Sequence, residues 1–447
     1  MRIIVLALLF AAAAVAEPPN ILLIVSDDQG YADLGCCGAP ELRTPNLDRI
    51  VREGVRATSF YVAWPACTPS RGALLTGRYP QRNGLYDMIR NDVADFDVTF
   101  TDAEYAVTPE AILGLDTREI LISNVLEQAG YATGVIGKWD SGRARRYRPL
   151  QRGFDFFYGF ANTGVDYWTH ERYEYPSMWR NNEQIEEEGY ITDLFEREAL
   201  GFLRKHAEDR FFLYLPYNAP HGASNFEPSG AQGKPEHVKL YGESDDKNAH
   251  YLAAITAMDE SVGAVLALLE EQDRLDDTLI IFFSDNGGSG QANNGPLRGR
   301  KATMWEGGLR VVFAARWPEH IPAGTTTDAF LTSLEVFPTL TKLAEAQLPE
   351  GVIYDGFDML PVLAGEAESP RTEMYWQRRD DRAARVGRWK WVESTRGGGL
   401  FDLSQDISEQ HDLSAAKPEA LEMVKAKWKD WRREMDEAEP RGPFRDY

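Results

Sequence analysis

The sequence is short of three things. The first is cysteine, with three in 447 residues: Cys36 and Cys37 side by side and Cys67 alone. Adjacent cysteines pair poorly with each other, and so small a number excludes a fold held by a disulfide framework. The second is positive charge. Forty-eight Lys and Arg face 70 Asp and Glu, a formal net charge of −22. That excludes nucleic acid and anionic membranes as expected partners, and it requires any site for an anionic substrate to be basic locally. The third is long apolar runs. Ile3 to Val15 is too short to span a bilayer, and no later segment reads as a span. With Arg2 before it and Ala14-Val15-Ala16 at its end, the run reads as a signal peptide over residues 1–16, and the protein is expected to be secreted or periplasmic.

What is present is an alternation of strands and helices. Ile21 to Ser26 is a continuous apolar run, the mark of a strand buried on both faces. Thr44-Pro45 opens a helix, with Thr44 as N-cap, and Gly54 closes it. Thr58 to Trp64 reads as a second strand, Ile120 to Ala129 as a helix and Ala132 to Ile136 as a strand. Leu194 to Lys205, Phe211 to Tyr217, His250 to Leu269 and Leu279 to Ser284 continue as helix, strand, helix, strand. This predicts an α/β fold: a large, mostly parallel sheet flanked by helices on both faces. The tail differs. Arg385 to Glu393 reads as an exposed hairpin strand, and Glu419 to Met435 as a charged helix with Met423, Val424 and Trp428 on one face. The expected division is a catalytic domain over 17–368 and a smaller C-terminal α+β subdomain, with a small antiparallel sheet and a terminal helix, over 369–447.

Three of these strands end in polar clusters: Asp27-Asp28-Gln29-Gly30, Asn218-Ala219-Pro220-His221 and Asp285-Asn286-Gly287-Gly288. In open α/β sheets, sites form beyond the carboxyl ends of the strands. Neighbouring carboxylates raise each other's pKa unless a cation sits between them. Asp27, Asp28, Asp285 and the amide oxygen of Asn286 form an all-oxygen set suited to a hard divalent ion. The competing reading is that each pair caps a helix or a turn. Cys67 stands in a polar loop, where the ordinary reading of a lone cysteine is a small buried hydrophobe.

The stretch from Cys67 to Arg78, Cys-Thr-Pro-Ser-Arg-Gly-Ala-Leu-Leu-Thr-Gly-Arg, is not generic. It resembles the signature of the formylglycine-dependent sulfatases, arylsulfatase-like members of the alkaline phosphatase superfamily. The resemblance runs from Pro19 to about Asp412. It takes in Thr44 to Asp48, Gly137-Lys138-Trp139, Ala219-Pro220-His221, Asp285-Asn286-Gly287, Leu297-Arg298-Gly299 with Lys301, Glu306-Gly307-Gly308, and Phe401-Asp402-Leu403 with Asp406, Glu409 and Asp412.

The resemblance implies a sulfuric ester hydrolase whose Cys67 is converted to formylglycine by a formylglycine-generating enzyme. It further implies one Ca²⁺ per chain, held by Asp27, Asp28, Asp285 and Asn286 with the modified Cys67. Arg71 would hold the hydrated aldehyde. Lys138, His221 and Lys301 would bind the sulfate oxygens, and His221 or Lys301 would protonate the leaving oxygen. One hydroxyl of the hydrate attacks sulfur, and the other then loses its proton as sulfate departs, so that two easier steps replace one hard one. Where the family usually reads Gly-Lys-Trp-His, this chain has Asp140 in place of the His. Either Asp140 accepts the proton of the second step in its place, or it turns away and that step is slower.

The expected substrate is a sulfated carbohydrate. The alternatives are a phosphonate or phosphodiester hydrolase on the same scaffold and a non-catalytic glycan-binding homologue. Arg143, Arg145, Arg146, Arg148 and Arg152 are read either as a solvated face or as a grip for further anionic groups on a glycan. Asp166 to Glu171 is read as sugar contacts or as a surface insertion.

Overall fold

The computed structural model describes residues 18–88, 114–172, 174–223 and 230–438. The expected signal peptide lies outside the described residues. A ten-stranded mixed sheet organises the chain. Its centre is parallel: Phe156–Phe160, Ala132–Lys138, Phe211–Pro216, Asn20–Ser26 and Thr278–Ser284 lie side by side in that order. Antiparallel pairs flank it on both sides, Phe313–Arg316 beside Thr278–Ser284 and Met178–Arg180 beside Phe156–Phe160, and at the first margin Thr325–Thr327 pairs parallel with Val55–Ala57.

The side-chain period of two explains why these strands read as unbroken apolar runs. Leu22 and Ile24 enter one core with the helices Ile191–Lys205 and Lys247–Glu271. Ile21, Leu23 and Val25 enter the other, on the opposite face, with Cys67–Thr76, Ile122–Gln128 and Val336–Leu343. Lys247–Glu271 is long and apolar enough to cross a membrane by length and composition, but it is the central helix of the first core and is mostly buried there.

Four expectations change in detail. Thr44 stands at the N-cap of the helix Pro45–Arg52, yet its hydroxyl caps nothing; it accepts from Gly35 N and donates to Asp48. The free amides of Asn46 and Leu47 go instead to the carboxylate of Asp259 on the long helix, because a buried carboxylate satisfies orphaned helix amides as well as a local cap does. Of the strand expected over Thr58 to Trp64 only Phe60–Tyr61 forms, in a separate two-stranded sheet, while the large sheet takes the preceding Val55–Ala57. The tail strand expected over Arg385 to Glu393 is two, Asp381–Val386 and Trp389–Ser394, turning at Gly387 with φ 55°. In the terminal helix Pro418–Glu437, Met423 faces solvent, while Val424, Trp428, Trp431 and Met435 are buried.

Those two tail strands belong to a separate four-stranded antiparallel sheet, Glu373 to Asp402. It is not an exposed appendage. Met374, Trp376, Ala383, Trp391 and Phe401 share one apolar cluster with Tyr61, Ala73, Trp305 and Leu334 of the main body.

Candidate functional site

The parallel strands deliver their polar ends to one place. Asp27 and Asp28 follow Asn20–Ser26, Lys138 closes Ala132–Lys138, Asn218 to His221 follow Phe211–Pro216, and Asp285 and Asn286 follow Thr278–Ser284. Cys67 is the first residue of the helix Cys67–Thr76, all ten residues of which are buried. Close backbone approach makes this crowding possible. A Cβ on Gly137, where φ is 131°, would lie 2.0 Å from Pro216 O, and one on Gly287 would lie 1.9 Å from Gly307 O. Asp28 and Asp140 sit at φ 63° and 48°, a left-handed conformation that costs free energy and marks positions fixed by their surroundings.

Cys67 Sγ lies 3.4 Å from Asp27 Oδ1 and 4.0 Å from Asp28 Oδ1. Lys301 Nζ donates to it at 3.1 Å and meets both Asp28 oxygens at 2.7 and 2.8 Å. Lys138 Nζ lies 2.5 Å from Asp27 Oδ2. Arg71 holds Asp285 Oδ2 through Nε at 2.9 Å and Nη2 at 2.7 Å, and comes within 3.7 Å of Asp27. Asp28 N reaches the other Asp285 oxygen at 3.2 Å. His221 Nε2 stands 3.7 Å from Asp28 Oδ2, and its Nδ1 faces Gly222 O at 2.7 Å. Asp140 accepts from Thr68 Oγ1 at 2.8 Å through Oδ1; its Oδ2 lies 3.6 Å from Lys138 and has no hydrogen-bond partner. The catalytic candidates Cys67, Arg71, Lys138, Asp140, His221 and Lys301 thus lie in one cluster with Asp27, Asp28 and Asp285.

The charges set the chemistry. Burial raises the Asp28 carboxyl, but Lys301 and His221 outweigh it and leave the group below the usual carboxylate range. Burial likewise opposes the Lys138 and Lys301 ammonium groups, and the carboxylates of Asp27 and Asp28, respectively, reverse it, so both stay charged. Burial and then Lys301 push His221 down to about 3. Burial lifts Asp140 to about 6 against the pull of Lys138 and Arg71. The Cys67 thiol is pushed well up, first by burial and then by Asp27, and is held protonated.

Asp27, Asp28, Cys67 and His221 each turn one ligand-type atom within 4.8 Å of the others. Asn286 donates Nδ2 to Asp28 at 2.8 Å, and its buried Oδ1 has no partner. A carboxylate oxygen has lone pairs left after one hydrogen bond, so Asp285 remains able to ligate while bound to Arg71. Asp27 and Asp28, with Asp285 and the orphaned amide oxygen of Asn286 on the adjoining loop, supply the oxygen donors that a hard divalent cation takes.

Sequence reasoning missed three supporting residues. Thr68 holds Asp140, Ser70 Oγ donates to Asp285 O at 2.5 Å, and Ser289 Oγ donates to Asp28 at 2.8 Å. All three lie inside or beside the quoted motifs, and that placement was the available signal. The arginine run divides. Arg152 is buried and donates to the carbonyls of Leu115, Asp116 and Glu119, a structural role. Arg148 lies 3.7 Å over the Trp179 ring and binds Asn182 O. Only Arg145 and Arg146 of the five are exposed. Within Asp166 to Glu171, Tyr167 is buried and donates to His221 O at 2.8 Å, whereas Trp168 is 45% exposed.

The sulfatase family profile matches residues 19–346. The chain is 33% identical to the N-acetylgalactosamine-6-sulfatase of Canis lupus familiaris over 426 residues, 89% of this chain and 77% of that one. It is 32% identical to the arylsulfatase A of Homo sapiens over 488 residues, 93% and 88% of the two chains. The crystal structure of Ps i-CgsB superposes with a TM-score of 0.82 at 33% identity, and that of Ps i-CgsB in complex with k-i-k-neocarrahexaose with a TM-score of 0.81 at 32% identity, each covering 93% of both chains. A family match over most of the chain, and one pocket that gathers the signature cysteine with its acidic and basic partners, lead to one conclusion: this chain belongs to the sulfatase family of the alkaline phosphatase superfamily and is a sulfuric ester hydrolase.

Proposed function

We propose that the chain desulfates a sulfated carbohydrate, using a formylglycine made from Cys67 and one bound Ca²⁺. The observation that carries this is the position of Cys67. It begins a buried helix, faces Asp27 and Asp28, and has Lys301 within 3.1 Å. Support for the substrate class is the oligosaccharide named with Ps i-CgsB. The ion would be held by Asp27, Asp28, Asp285 and Asn286 with the modified Cys67. Bound there, it supplies positive charge that offsets the carboxylates and acidifies an attacking hydroxyl.

The chain's own residues do the rest. Arg71, fixed by Asp285, orients the modified Cys67 side chain. Lys138, His221 and Lys301 gather the sulfate oxygens, where charge accumulates as the ester bond breaks. His221 and Lys301 have side chains 19% and 20% exposed, whereas Lys138 is sealed at 0%. The departing alcohol oxygen therefore meets one of those two, and Lys301, which stays charged, gives it the proton, whereas His221 is neutral with its Nδ1 turned to Gly222 O. Asp140, with one carboxylate oxygen unengaged, takes the proton whose loss lets sulfate go. The maturation partner is a formylglycine-generating enzyme, the location is secreted or periplasmic, and the division is a catalytic domain over 17–368 with a C-terminal subdomain over 369–447.

Peptide mass spectrometry and hydrazide labelling test the reading. Protein from a host able to make the modification carries an aldehyde at position 67, and Cys67→Ala loses essentially all turnover while remaining folded. Aryl sulfates are turned over in preference to aryl phosphodiesters. Fully active protein with a thiol at position 67 throughout overturns the mechanism, and preference for phosphodiesters overturns the substrate class.

A further inference from the structure

The segment that carries Lys301 is pinned from two sides. Toward the site, Lys301 N donates to Gly288 O at 3.1 Å and Ala302 N to Pro65 O at 2.7 Å, which ties the segment to the loops of Asp285 and Cys67. Ala302 has φ 64°, a left-handed conformation that alanine holds only where its surroundings over-determine it. Away from the site, the segment runs into the short helix Glu306–Leu309, and there it meets the C-terminal sheet.

That second anchor is a buried charge network. Lys390, the second residue of the strand Trp389–Ser394, is fully buried, with Nζ 2.8 Å from Glu306 Oε1 and 3.7 Å from Glu409 Oε1. The other Glu306 oxygen accepts from Tyr61 OH at 2.5 Å and faces Arg310 at 3.4 Å. Glu306 N donates to Glu409 Oε2 at 2.7 Å. Arg298, three residues before Lys301, donates to Glu409 O at 2.8 Å and lies 3.7 Å over the Trp305 ring. The segment from Arg298 to Glu306 is thus clamped at both ends by groups of the C-terminal subdomain, with Lys301 between them.

We propose that Lys390 is a positioning residue for the sulfatase reaction, setting Lys301 against Cys67 and Asp28 through Glu306 and Glu409. The proposal rests on the reading of Lys301 as a group that serves the sulfate. Without the Lys390 ammonium group, Glu306 Oε1 and Glu409 Oε1 lose the donor that stands between them, and two buried oxygens are left facing each other. They separate, and the Glu306 N to Glu409 bond that ends the segment is lost. The apolar clusters do not depend on that bond, so the defect falls on the aim of Lys301.

A double-mutant cycle tests this, measured as kcat and KM on an aryl sulfate with aldehyde and metal content verified in each variant. Lys390→Met lowers kcat about tenfold with KM little changed, within the coupling range of contacting residues. In a Lys301→Ala background the same substitution changes kcat by less than about twofold, because the residue it aims is already gone. Should Lys390→Met fold poorly, Lys390→Met/Glu409→Gln puts an amide donor beside Glu306 Oε1, keeps an acceptor for Glu306 N, and recovers most of the lost kcat. Losses that multiply across the two backgrounds, or wild-type kcat in Lys390→Met, overturn the proposal while leaving Lys301 in place. An unimpaired Lys301→Ala enzyme overturns the reading of Lys301, and the proposal falls with it.

Discussion

Asp140 lies in the Lys138-Trp139-Asp140 run, in which the buried Trp139 separates two side chains that turn back to the site. Its Oδ1 is fixed by Thr68, the neighbour of Cys67, and its Oδ2 is left without a hydrogen bond. A carboxylate so placed has a fixed position and a spare lone pair, the two things a proton acceptor needs. Asp140→Asn keeps the shape and the Thr68 contact but removes the basicity. The expected outcome is a burst of roughly one equivalent of alcohol per active enzyme followed by slow turnover, read by rapid mixing with an aryl sulfate. Wild-type steady-state rates in this variant, or no burst from folded, metal-loaded enzyme, exclude the role. At this scale the sequence is uneven evidence. Asp27, Asp28 and Asp285 are legible from spacing, because strand ends and clustered carboxylates have a physical signature. Lys138 and Lys301 are not, since a lysine's ordinary fate is a solvated surface; only their motifs mark them out.

The C-terminal sheet shows why elements are harder to read than the residues inside them. Apolar alternation shows that strands exist near Arg385 to Glu393, but the turn at Gly387 and the docking of the sheet on Tyr61 and Trp305 depend on partners far away in the chain. Glu306 and Lys390 are 84 residues apart, and no local pattern announces that either will be buried. Their network has a measurable pH signature. Burial first, with Glu306 also pushing upward and Lys390 pulling down, raises Glu409 to about 8. A carboxyl with a raised folded pKa favours folding in its protonated form. Its contribution is complete below the ordinary glutamate value and is lost as pH rises through about 8. Denaturation midpoints are therefore expected to fall between about pH 5 and pH 8, and Glu409→Gln, which cannot ionise, flattens that fall. An unchanged slope in the variant places the titration elsewhere.

Across the whole molecule, the parallel centre of the sheet is what the sequence discloses best. Its strands are buried on both faces, so their runs are apolar without interruption, and their polar ends mark where the site lies. The margins are short and mixed in character, and they are not legible in the same way. The acidic excess of the chain contrasts with its centre, where Arg71, Lys138 and Lys301 converge on three carboxylates. A divalent ion bound among Asp27, Asp28, Asp285 and Asn286 would join two loops that follow separate strands, so its energy would be available to the whole fold. At a free Ca²⁺ concentration a hundredfold above Kd, that is about 2.7 kcal/mol. Exhaustive chelation is expected to abolish turnover and lower the melting temperature, with both restored by Ca²⁺. Full activity in protein shown to be metal-free rules the ion out.

Cys67 is 0% exposed, at the start of a helix with no exposed residue. A modifying enzyme has to take hold of the peptide around that cysteine, and in the finished fold there is no peptide to grasp. On the proposed reading of Cys67, maturation would be a race against folding. The aldehyde would have to be installed while the Thr68 to Arg71 segment is still an open chain, and a molecule that folded first would keep its thiol. The ratio of active to inert protein in a preparation would then record how fast the chain folds as much as how much modifying enzyme was present.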